Sequence, residues 1–195
     1  SQLPLGCGFG ISGASAIAAA YALNKLFNLK KPEKELAFMA HVAEVENMTG
    51  LGDVTNQYYG GFLIKHKPSY TFEVKKTNIK NKAVYCRYFS GINTKKILPD
   101  KKIKNKINQA GLKSLKKIKN LDKKIMNLKN LIRISKEFSI ESRLLKNKKV
   151  IETIRNIEKN KGNASMIMLG NSIFSDVPFK GSRKLIIKDK GAFTI

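Results

Sequence analysis

The chain has 195 residues, of which 42% are hydrophobic and 27% charged, a composition typical of globular proteins and not of disordered or fibrous ones. No apolar run approaches the roughly 18 residues that a membrane-spanning helix needs, and two cysteines without a Cys-x-x-Cys pair exclude a disulfide framework and a zinc site. With no leader-like segment in the sequence, we expect a cytoplasmic protein.

The positive charge is concentrated in the middle of the chain. The formal net charge of +24 makes nucleic acid the first partner to consider. Residues 71–161 hold 27 basic and seven acidic residues, whereas residues 1–70 are almost neutral. However, 33 of the 38 basic residues are lysine, and no aromatic residue lies between Phe89 and Phe138. Specific nucleic-acid interfaces favour arginine and aromatic side chains, so the segment is more typical of solvated helix surfaces.

The chain opens with a glycine-rich loop that leads into a helix. Glycine stands at positions 6, 8, 10 and 13, and the alanine-rich stretch that follows predicts a helix to about Asn28. Backbone N–H groups at the positive end of a helix form a cradle for phosphate groups. Four glycines in eight residues cost backbone entropy that an ordinary turn does not require. The loop therefore predicts a phosphate-binding site, with a glycine turn that binds nothing as the alternative.

Other glycine motifs fit this loop less well. Residues 8–13 match the G-x-G-x-x-G pattern of dinucleotide-binding folds, but Glu33 and Glu35 lie in a helix-opening loop and not at the end of a second strand. A Walker A loop needs a Gly-Lys pair, and no lysine precedes Lys25. Ala14 replaces the last glycine of a nucleophile elbow, which argues against a serine hydrolase.

A second helix is predicted from Pro32 to about Asn47, since proline suits a first helical position. His41 and Glu44 are three residues apart and share one face of it. The glycine turn that follows can place Asp53 near that face. A carboxylate pair beside a phosphate cradle suits phosphoryl transfer, with one acid holding Mg²⁺ and the other accepting a hydroxyl proton. A surface pair or a core histidine is the alternative.

The rest of the chain predicts short strands around one long helical region. Apolar residues recur at spacings of three and four through residues 101–161, which predicts helix. A short amphipathic segment ends at Tyr59, and the order of elements predicts an α+β fold. Strand-like runs are expected at residues 62–65, 70–75, 83–89, 165–169 and 185–188.

Three segments resemble motifs of the GHMP kinase superfamily. Residues 4–14 resemble its second motif, P-x-G-x-G-L-G-S-S-A, and Asp53 followed by Gly60-Gly61 resembles its catalytic-aspartate segment. Residues 162–171 stand where the third, glycine-rich motif belongs. The resemblance implies a GHMP kinase fold, with residues 1–78 as the later part of an ATP-binding domain and residues 79–195 as a helix-rich C-terminal domain. The superfamily's first motif precedes the glycine loop, so the resemblance also implies an N-terminally truncated chain that is inactive or poorly folded alone.

The resemblance also assigns the site. It makes Asp53 the general base, Ser12 and Glu44 the ligands of Mg²⁺, and His41 and Lys65 the residues that bind the acceptor. It places ATP against Gly6, Gly8, Phe9, Gly10, Ile11, Ser12, Gly13, Ala14, Gly170 and Asn171.

Within the superfamily, the chain is most similar to members that phosphorylate the terminal hydroxyl of pantoate, on the archaeal route to coenzyme A. This similarity lies in the sequences of residues 5–14, 40–45, 49–54 and 168–171. The alternative within the superfamily is a kinase that acts on homoserine, shikimate or mevalonate. The alternative outside it is a lysine-rich nucleic-acid-binding protein. A homodimer is an expectation that rests on the resemblance alone.

Overall fold

The structure, a computed structural model, describes residues 3–50, 52–67, 72–92, 100–122 and 124–193. These residues form two compact units. The first unit consists of residues 10–81 together with residues 3–5 and 187–193, and the second of residues 82–186 together with residues 6–9. Both units combine helices with short antiparallel strands, so the predicted α+β class is confirmed.

Helices α1 (Ile11–Leu26), α2 (Glu33–Glu46) and α3 (Asp53–Tyr59) form the body of the first unit. The small alanines of α1 allow the helices to approach closely, and each helix packs against the other two. The first two helices were predicted, and each ends one or two residues before its predicted end. The core that they share consists of Ile17, Tyr21, Leu36, Ala37, Ala40, Val54 and Phe72.

Two short strands complete the helical part of this unit. Strand β1 (Leu63–Ile64) pairs antiparallel with β2 (Lys75–Lys76). The predicted run 70–75 is wrong for residues 72–74, which are not strand, and its residues 70 and 71 lie outside the described residues. Phe72 is instead a core residue, and its carbonyl accepts a hydrogen bond of 2.9 Å from the hydroxyl of Tyr59. Burial of the aromatic ring in the helical core thus takes precedence over strand pairing.

Residues 187–193, which we call the C-terminal segment, pack against α3 and the strands of the same unit. The amide of Ala192 donates to the carbonyl of Gln57 at 2.6 Å, and the amide of Gly61 donates to the carbonyl of Lys188 at 2.7 Å. A Cβ added to Gly191 would lie 2.0 Å from the carbonyl oxygen of Tyr58. The C-terminal end of α3 is therefore held by residues more than 120 positions further along the chain.

The second unit contains a four-stranded antiparallel sheet. Its strands are β3 (Ala83–Ser90), β4 (Ala164–Met166), β5 (Asn171–Ser175) and β6 (Arg183–Ile186), in the spatial order β4-β5-β3-β6. The sequence analysis identified β3 and approximated β4 and β6, but it missed β5. Ser172 and Ser175 of β5 are fully buried, so this strand lacks the apolar alternation by which strands are recognised.

Residues 101–161 form separate helices, which corrects the prediction of one long helical region. They are α4 (Lys101–Asn120), α5 (Leu128–Glu141) and α6 (Lys148–Lys159). Asp100, Asn127 and Asn147 precede them, and each side chain accepts hydrogen bonds from the first turn of its helix. Helices and sheet enclose a core of Leu144, Val150, Ile154, Ile157, Ala164, Met166 and Ile173.

The helices of the second unit carry much of the positive charge on exposed faces. Lys113 and Glu141 join α4 to α5 at 2.6 Å, and the Lys117–Glu137 pair lies on the same interface. Such exposed pairs contribute little to stability, so these lysines chiefly solvate the helix surfaces. None of the described helices combines the length and the apolar character that crossing a membrane requires.

Candidate active site

The second half of the glycine loop forms the start of α1. Gly10 precedes the helix in the left-handed conformation, with φ of +66°, which glycine adopts without strain. The first helical hydrogen bond runs from the amide of Ala14 to the carbonyl of Gly10 at 3.0 Å. The N–H groups of residues 11–13 therefore precede the helical ladder and point out of the helix end. No acidic side chain lies in this first turn, so the end of α1 is suited to an anion, as predicted.

Asp53, the first residue of α3, lies directly against this helix end. A Cβ added to Gly10 would be 3.1 Å from both Cβ and Cγ of Asp53. A Cβ added to Gly13 would be 3.2 Å from the same Asp53 Cβ. Both glycines are thus needed for the close approach of α1 and α3, which places the predicted general base beside the predicted phosphate cradle.

Ser12 and Glu44, the two residues predicted to bind a metal ion, are joined by a hydrogen bond. The hydroxyl of Ser12 donates to Oε2 of Glu44 at 2.9 Å. Glu44 lies on α2 with its side chain buried, and the hydroxyl of Thr49 donates to its other oxygen, Oε1, at 2.8 Å. The carboxylate is therefore bound on both oxygens by hydroxyl groups, in a fixed orientation at the start of α1.

The carboxylates of Glu44 and Asp53 converge on Gly50. A Cβ added to Gly50 would lie 2.6 Å from Oε2 of Glu44 and 2.9 Å from Oδ2 of Asp53. Burial raises the pKa of Asp53, and the negative charge of Glu44 raises it further. A carboxylate with a raised pKa accepts a proton more readily, which is the property that a general base requires.

The donor set beside α1 fits part of a magnesium shell. Mg²⁺ usually takes one or two protein oxygen ligands and completes its octahedron with water and phosphate oxygens. The hydroxyl of Ser12 and the carboxylate of Glu44 are such oxygen ligands, at hydrogen-bond distance from each other. Within the described residues, no cluster of three or more His, Cys, Asp or Glu side chains could hold a metal by itself.

Lys65 and His41, the residues predicted to bind the acceptor, differ in their surroundings. The ammonium group of Lys65 donates to the hydroxyl of Thr55 at 3.3 Å, and Thr55 is fully buried two residues after Asp53 on α3. Partial burial lowers the pKa of Lys65. The side chain of His41 is only 2% exposed, and its ring meets that of Phe72 edge-on at 5.8 Å. Lys65 thus bonds to α3 two residues after Asp53, whereas His41 lies in the core.

The first half of the glycine loop belongs to the second unit. Ser172 donates from its hydroxyl to the carbonyl of Cys7 at 2.7 Å. A Cβ added to Gly170 would lie 2.1 Å from that carbonyl oxygen, and one added to Gly8 would lie 2.9 Å from the carbonyl oxygen of Met168. Gly8 and Gly170, both predicted to contact ATP, therefore have a packing role with each other.

Two further residues of the predicted nucleotide site, Gly6 and Asn171, also have partners inside the second unit. The side-chain amide of Asn171 donates to the hydroxyl of Ser90 at 2.8 Å. The carbonyl of Gly6 accepts from the amide of Ile92 at 2.9 Å. These bonds hold the third motif and the loop in place, and the contact of these residues with a nucleotide stays a prediction.

The sequence analysis assigned no role to Thr49, Gly50 or Thr55, which contact the predicted site residues. In the sequence, Thr49 and Gly50 stand out only as part of the segment around Asp53 that resembles the family. The contacts of Thr49 and Gly50 are with Glu44 and Asp53, three to six residues away, and they depend on how the turn after α2 folds. For Thr55, the one signal in the sequence is its position two residues after Asp53, the predicted base.

The chain matches known proteins over most of its length. Residues 1–61 match the family model described as GHMP kinases N terminal domain. Over 175 residues, or 89% of this chain, it is 34% identical to the pantoate kinase of Methanocaldococcus jannaschii and covers 62% of that enzyme. It is 30% identical over 174 residues to the pantoate kinase of Methanospirillum hungatei, of which it covers 56%. The chain thus spans a little over half the length of these relatives.

Two further comparisons differ in how much of the chain they cover. A mevalonate kinase of Thermococcus sibiricus is 38% identical over 72 residues, which are 36% of this chain and 22% of that enzyme. A solved structure titled "Phosphotransferase related to CoA biosynthesis pathway" has the same fold, with a TM-score of 0.80 over 97% of this chain and 66% of its own, at 24% identity. Residues 1–61 therefore match the N-terminal domain of the GHMP kinases, and the chain has the GHMP kinase fold.

Proposed function

We propose that this protein is an ATP-dependent kinase that phosphorylates the terminal hydroxyl of pantoate, a step toward coenzyme A. The observation that carries the proposal is the Ser12–Glu44 hydrogen bond beside Asp53 at the start of α1. It supplies an oxygen ligand pair, a buried carboxylate base and free N–H groups within a few residues of one another. The pantoate kinase relatives, aligned over 89% of the chain, support this choice of acceptor.

The end of α1 would hold the phosphates of ATP. The N–H groups of Ile11, Ser12 and Gly13 would donate to phosphate oxygens, and the helix dipole would favour their negative charge. We expect the nucleotide also to contact Ala14 and the loop residues Gly6, Gly8, Phe9 and Gly10. The third motif, at Gly170 and Asn171, stays a predicted part of the same site.

Ser12 and Glu44 would hold Mg²⁺. The ion would neutralise charge on the phosphate oxygens during transfer. Ser12 would coordinate the ion through a lone pair of its oxygen, which leaves its proton available for the present bond to Oε2 of Glu44. The carboxylate of Glu44 is also oriented by Thr49 through its other oxygen.

Asp53 would act as the general base. As the hydroxyl oxygen of the acceptor forms its bond to the γ-phosphorus, its proton passes to a carboxylate oxygen of Asp53. The bond between the γ-phosphorus and the bridging oxygen breaks, and the electron pair leaves with ADP. The raised pKa of Asp53 makes this proton transfer more favourable.

Lys65 would bind the carboxylate of the acceptor. Its ammonium group is held by Thr55, two residues from Asp53, which suits an acceptor with an anion at one end and a hydroxyl at the other. Partial burial lowers the pKa of Lys65, and a bound carboxylate would restore the charged form. His41 lies on the same face of α2 as Glu44 and would contact the acceptor only if it became accessible.

A different acceptor is the second candidate function. The 38% identity with a mevalonate kinase is confined to 72 residues and supports the class of reaction without the choice of substrate. We retain the cytoplasm as the expected location and a homodimer as the expected assembly.

The test is a panel of acceptors. The protein at its natural length would be incubated with ATP, Mg²⁺ and pantoate, homoserine, shikimate or mevalonate, and ADP release would be followed. We expect release with pantoate alone. Turnover with another acceptor would replace pantoate in the proposal, and no acceptor-dependent turnover would overturn it.

The control for this experiment is a pair of aspartate variants. Asp53→Ala should abolish turnover, because it removes the proposed base. Asp189→Asn should retain turnover, because Asp189 is a half-exposed residue of the same unit whose carboxylate pairs with Lys76 at 3.7 Å. Equal activity of the two variants would contradict the role of Asp53.

A further inference from the structure

Thr49 and Gly50, in the turn that follows helix α2, lie against the carboxylates of the proposed site. Glu44 lies in the last turn of α2 and receives a hydrogen bond on each carboxylate oxygen, from Ser12 at 2.9 Å and from Thr49 at 2.8 Å. Ser12 would coordinate a metal ion through an oxygen lone pair, and Thr49 holds the other carboxylate oxygen of Glu44.

The hydroxyl of Thr49 has one proton and two acceptors within reach. The Oε1 atom of Glu44 lies at 2.8 Å and the backbone carbonyl of the same residue at 3.3 Å. The carboxylate is both closer and charged, so it is the stronger acceptor. That carbonyl already accepts from the amide of Thr49 at 3.0 Å, so the end of the helix does not depend on the hydroxyl. The side chain of Thr49 is therefore available to orient Glu44.

Gly50 leaves the space in which the two carboxylates meet. Its φ is not in the left-handed region, so conformation does not require glycine here. An added Cβ would instead lie 2.6 Å from Oε2 of Glu44 and 2.9 Å from Oδ2 of Asp53. Both atoms are the ones that the proposed chemistry uses. Any side chain at this position would force at least one of the carboxylates to move.

We propose that Thr49 and Gly50 are positioning residues, which fix the metal-binding carboxylate of Glu44 next to the base Asp53. Thr49 holds Oε1, so that Oε2 faces Ser12, and Gly50 allows Oε2 and Oδ2 to share one small space. This inference rests on the proposed function, since it takes Glu44 as a metal ligand and Asp53 as the base. It adds residues that act through Glu44 and do not themselves touch the reacting atoms.

The experiment measures metal binding directly. Mn²⁺, a spectroscopic substitute for Mg²⁺, would be titrated into the ADP-saturated protein and followed by electron paramagnetic resonance. Thr49→Val should weaken Mn²⁺ binding by about 10- to 100-fold, the usual effect of removing a partner that orients a metal ligand. Thr49→Ser keeps the hydroxyl and should restore wild-type affinity. In turnover assays, Thr49→Val should require more Mg²⁺ for half-maximal rate and approach the wild-type kcat at saturation.

A glycine pair supplies the matched control. Gly50→Ala should also weaken Mn²⁺ binding, whereas Gly52→Ala should not, because a Cβ on Gly52 meets no atom within 4 Å. Gly50→Ala tests the proposal independently if Thr49→Val fails to fold. Melting temperatures of all variants would be measured beside the titrations.

The outcomes distinguish this inference from the proposed function. Wild-type Mn²⁺ affinity in folded Thr49→Val and Gly50→Ala would overturn the positioning role, whatever the acceptor proves to be. Weakened Mn²⁺ binding in both variants would support it even if none of the acceptors in the panel were phosphorylated. Equal loss in Thr49→Val and Thr49→Ser would also overturn it, because the hydroxyl would then be irrelevant.

Discussion

At the scale of the residue, the site depends on Asp53, whose ionised carboxylate is disfavoured by burial and by the charge of Glu44. The pKa of Asp53 is raised by burial and by Glu44, so the folded protein binds its proton more tightly than the unfolded chain does. Stability is therefore lost as the pH rises through that raised pKa, and the cost persists at neutral pH. Asp53→Asn removes the buried charge and keeps the shape of the side chain.

We predict that Asp53→Asn lowers turnover by at least about 100-fold, since general-base catalysis contributes roughly that much or more. The same variant should melt at a higher temperature than the wild type at neutral pH. The difference should disappear at a pH below the range in which an ordinary aspartate titrates, where the carboxyl is neutral in both the folded and the unfolded chain. Calorimetric scans at both pH values would test this, and a lower melting temperature for the variant at neutral pH would contradict it.

The pH dependence of the reaction follows from the same group. Asp53 must be ionised to accept the hydroxyl proton, so kcat/KM should fall as the pH drops through its raised pKa. We predict that the acidic limb of the profile lies above the range of an ordinary aspartate. Removing the charge of Glu44 with Glu44→Gln should move this limb to lower pH in whatever activity remains. A limb that stayed in place would exclude Glu44 as a cause of the shift.

A substitution at Lys65 should affect the KM for the acceptor and not the KM for the nucleotide. Lys65→Gln should raise KM for pantoate by roughly tenfold or more, since a charged hydrogen bond contributes about 1.5–3 kcal/mol. KM for ATP should not change. The matched control is Lys67→Gln, because Lys67 is 69% exposed and pairs only with the exposed Glu73 at 3.2 Å. Equal effects on both substrates would argue that Lys65 has only a structural role beside Thr55.

At the scale of the element, the third motif supports the glycine loop by close backbone contact. A Cβ on Gly170 would lie 2.1 Å from the carbonyl oxygen of Cys7, and no flexible side chain could move aside to admit it. We predict that Gly170→Ala lowers the melting temperature by several degrees and weakens ATP binding. Gly111→Ala, in the middle of α4, should instead raise stability by about 0.5–1 kcal/mol, because its Cβ meets only Phe138 at 3.9 Å.

Chemical denaturation and a fluorescent ATP analogue would measure both effects. A Gly170→Ala variant as stable as the wild type would mean that the loop shifts to admit the new carbon. A destabilised Gly111→Ala variant would show that the helix contact at this position is tighter than its 3.9 Å distance implies.

The sequence predicted the elements whose structure is determined by neighbouring residues in the chain. Glycines followed by an alanine run indicate a loop and a helix without reference to the rest of the chain, and α1 begins at Ile11. The juxtaposition of Ser12 and Glu44 is not local, because the residues lie on different helices. The family resemblance predicted both as metal ligands, and a hydrogen bond joins them in the structure.

The elements that tertiary packing determines were missed. Strand β5 has serines at its buried positions, and their acceptors lie in other segments, as with Ser172 and the carbonyl of Cys7. The breaks between α4, α5 and α6 lack glycine and proline, although Asn127 and Asn147 are capping residues that the sequence offered as signals.

At the scale of the whole molecule, the charge of +24 predicts salt-dependent adhesion to nucleic acid. The lysines lie on solvated helix faces, so binding to duplex DNA should show no sequence preference. It should weaken by about 10³-fold or more between 50 and 200 mM salt if six or more phosphates are contacted. Competition titrations with DNA of two sequences would measure this. Sequence-specific binding that survived 200 mM salt would favour the nucleic-acid-binding alternative.

The C-terminal segment has a consequence for how the protein is made. Helix α3, which carries Asp53, receives its partners Lys188 to Ala192 through backbone bonds such as that from Ala192 to Gln57. Residues 82–186 are therefore translated between the main part of the first unit and the segment that packs against it. During that interval the end of α3 has no backbone partner from this segment, and non-local contacts of this kind form slowly. The end of the helix that carries the proposed base thus gains this support only after residues 187–193 have been translated.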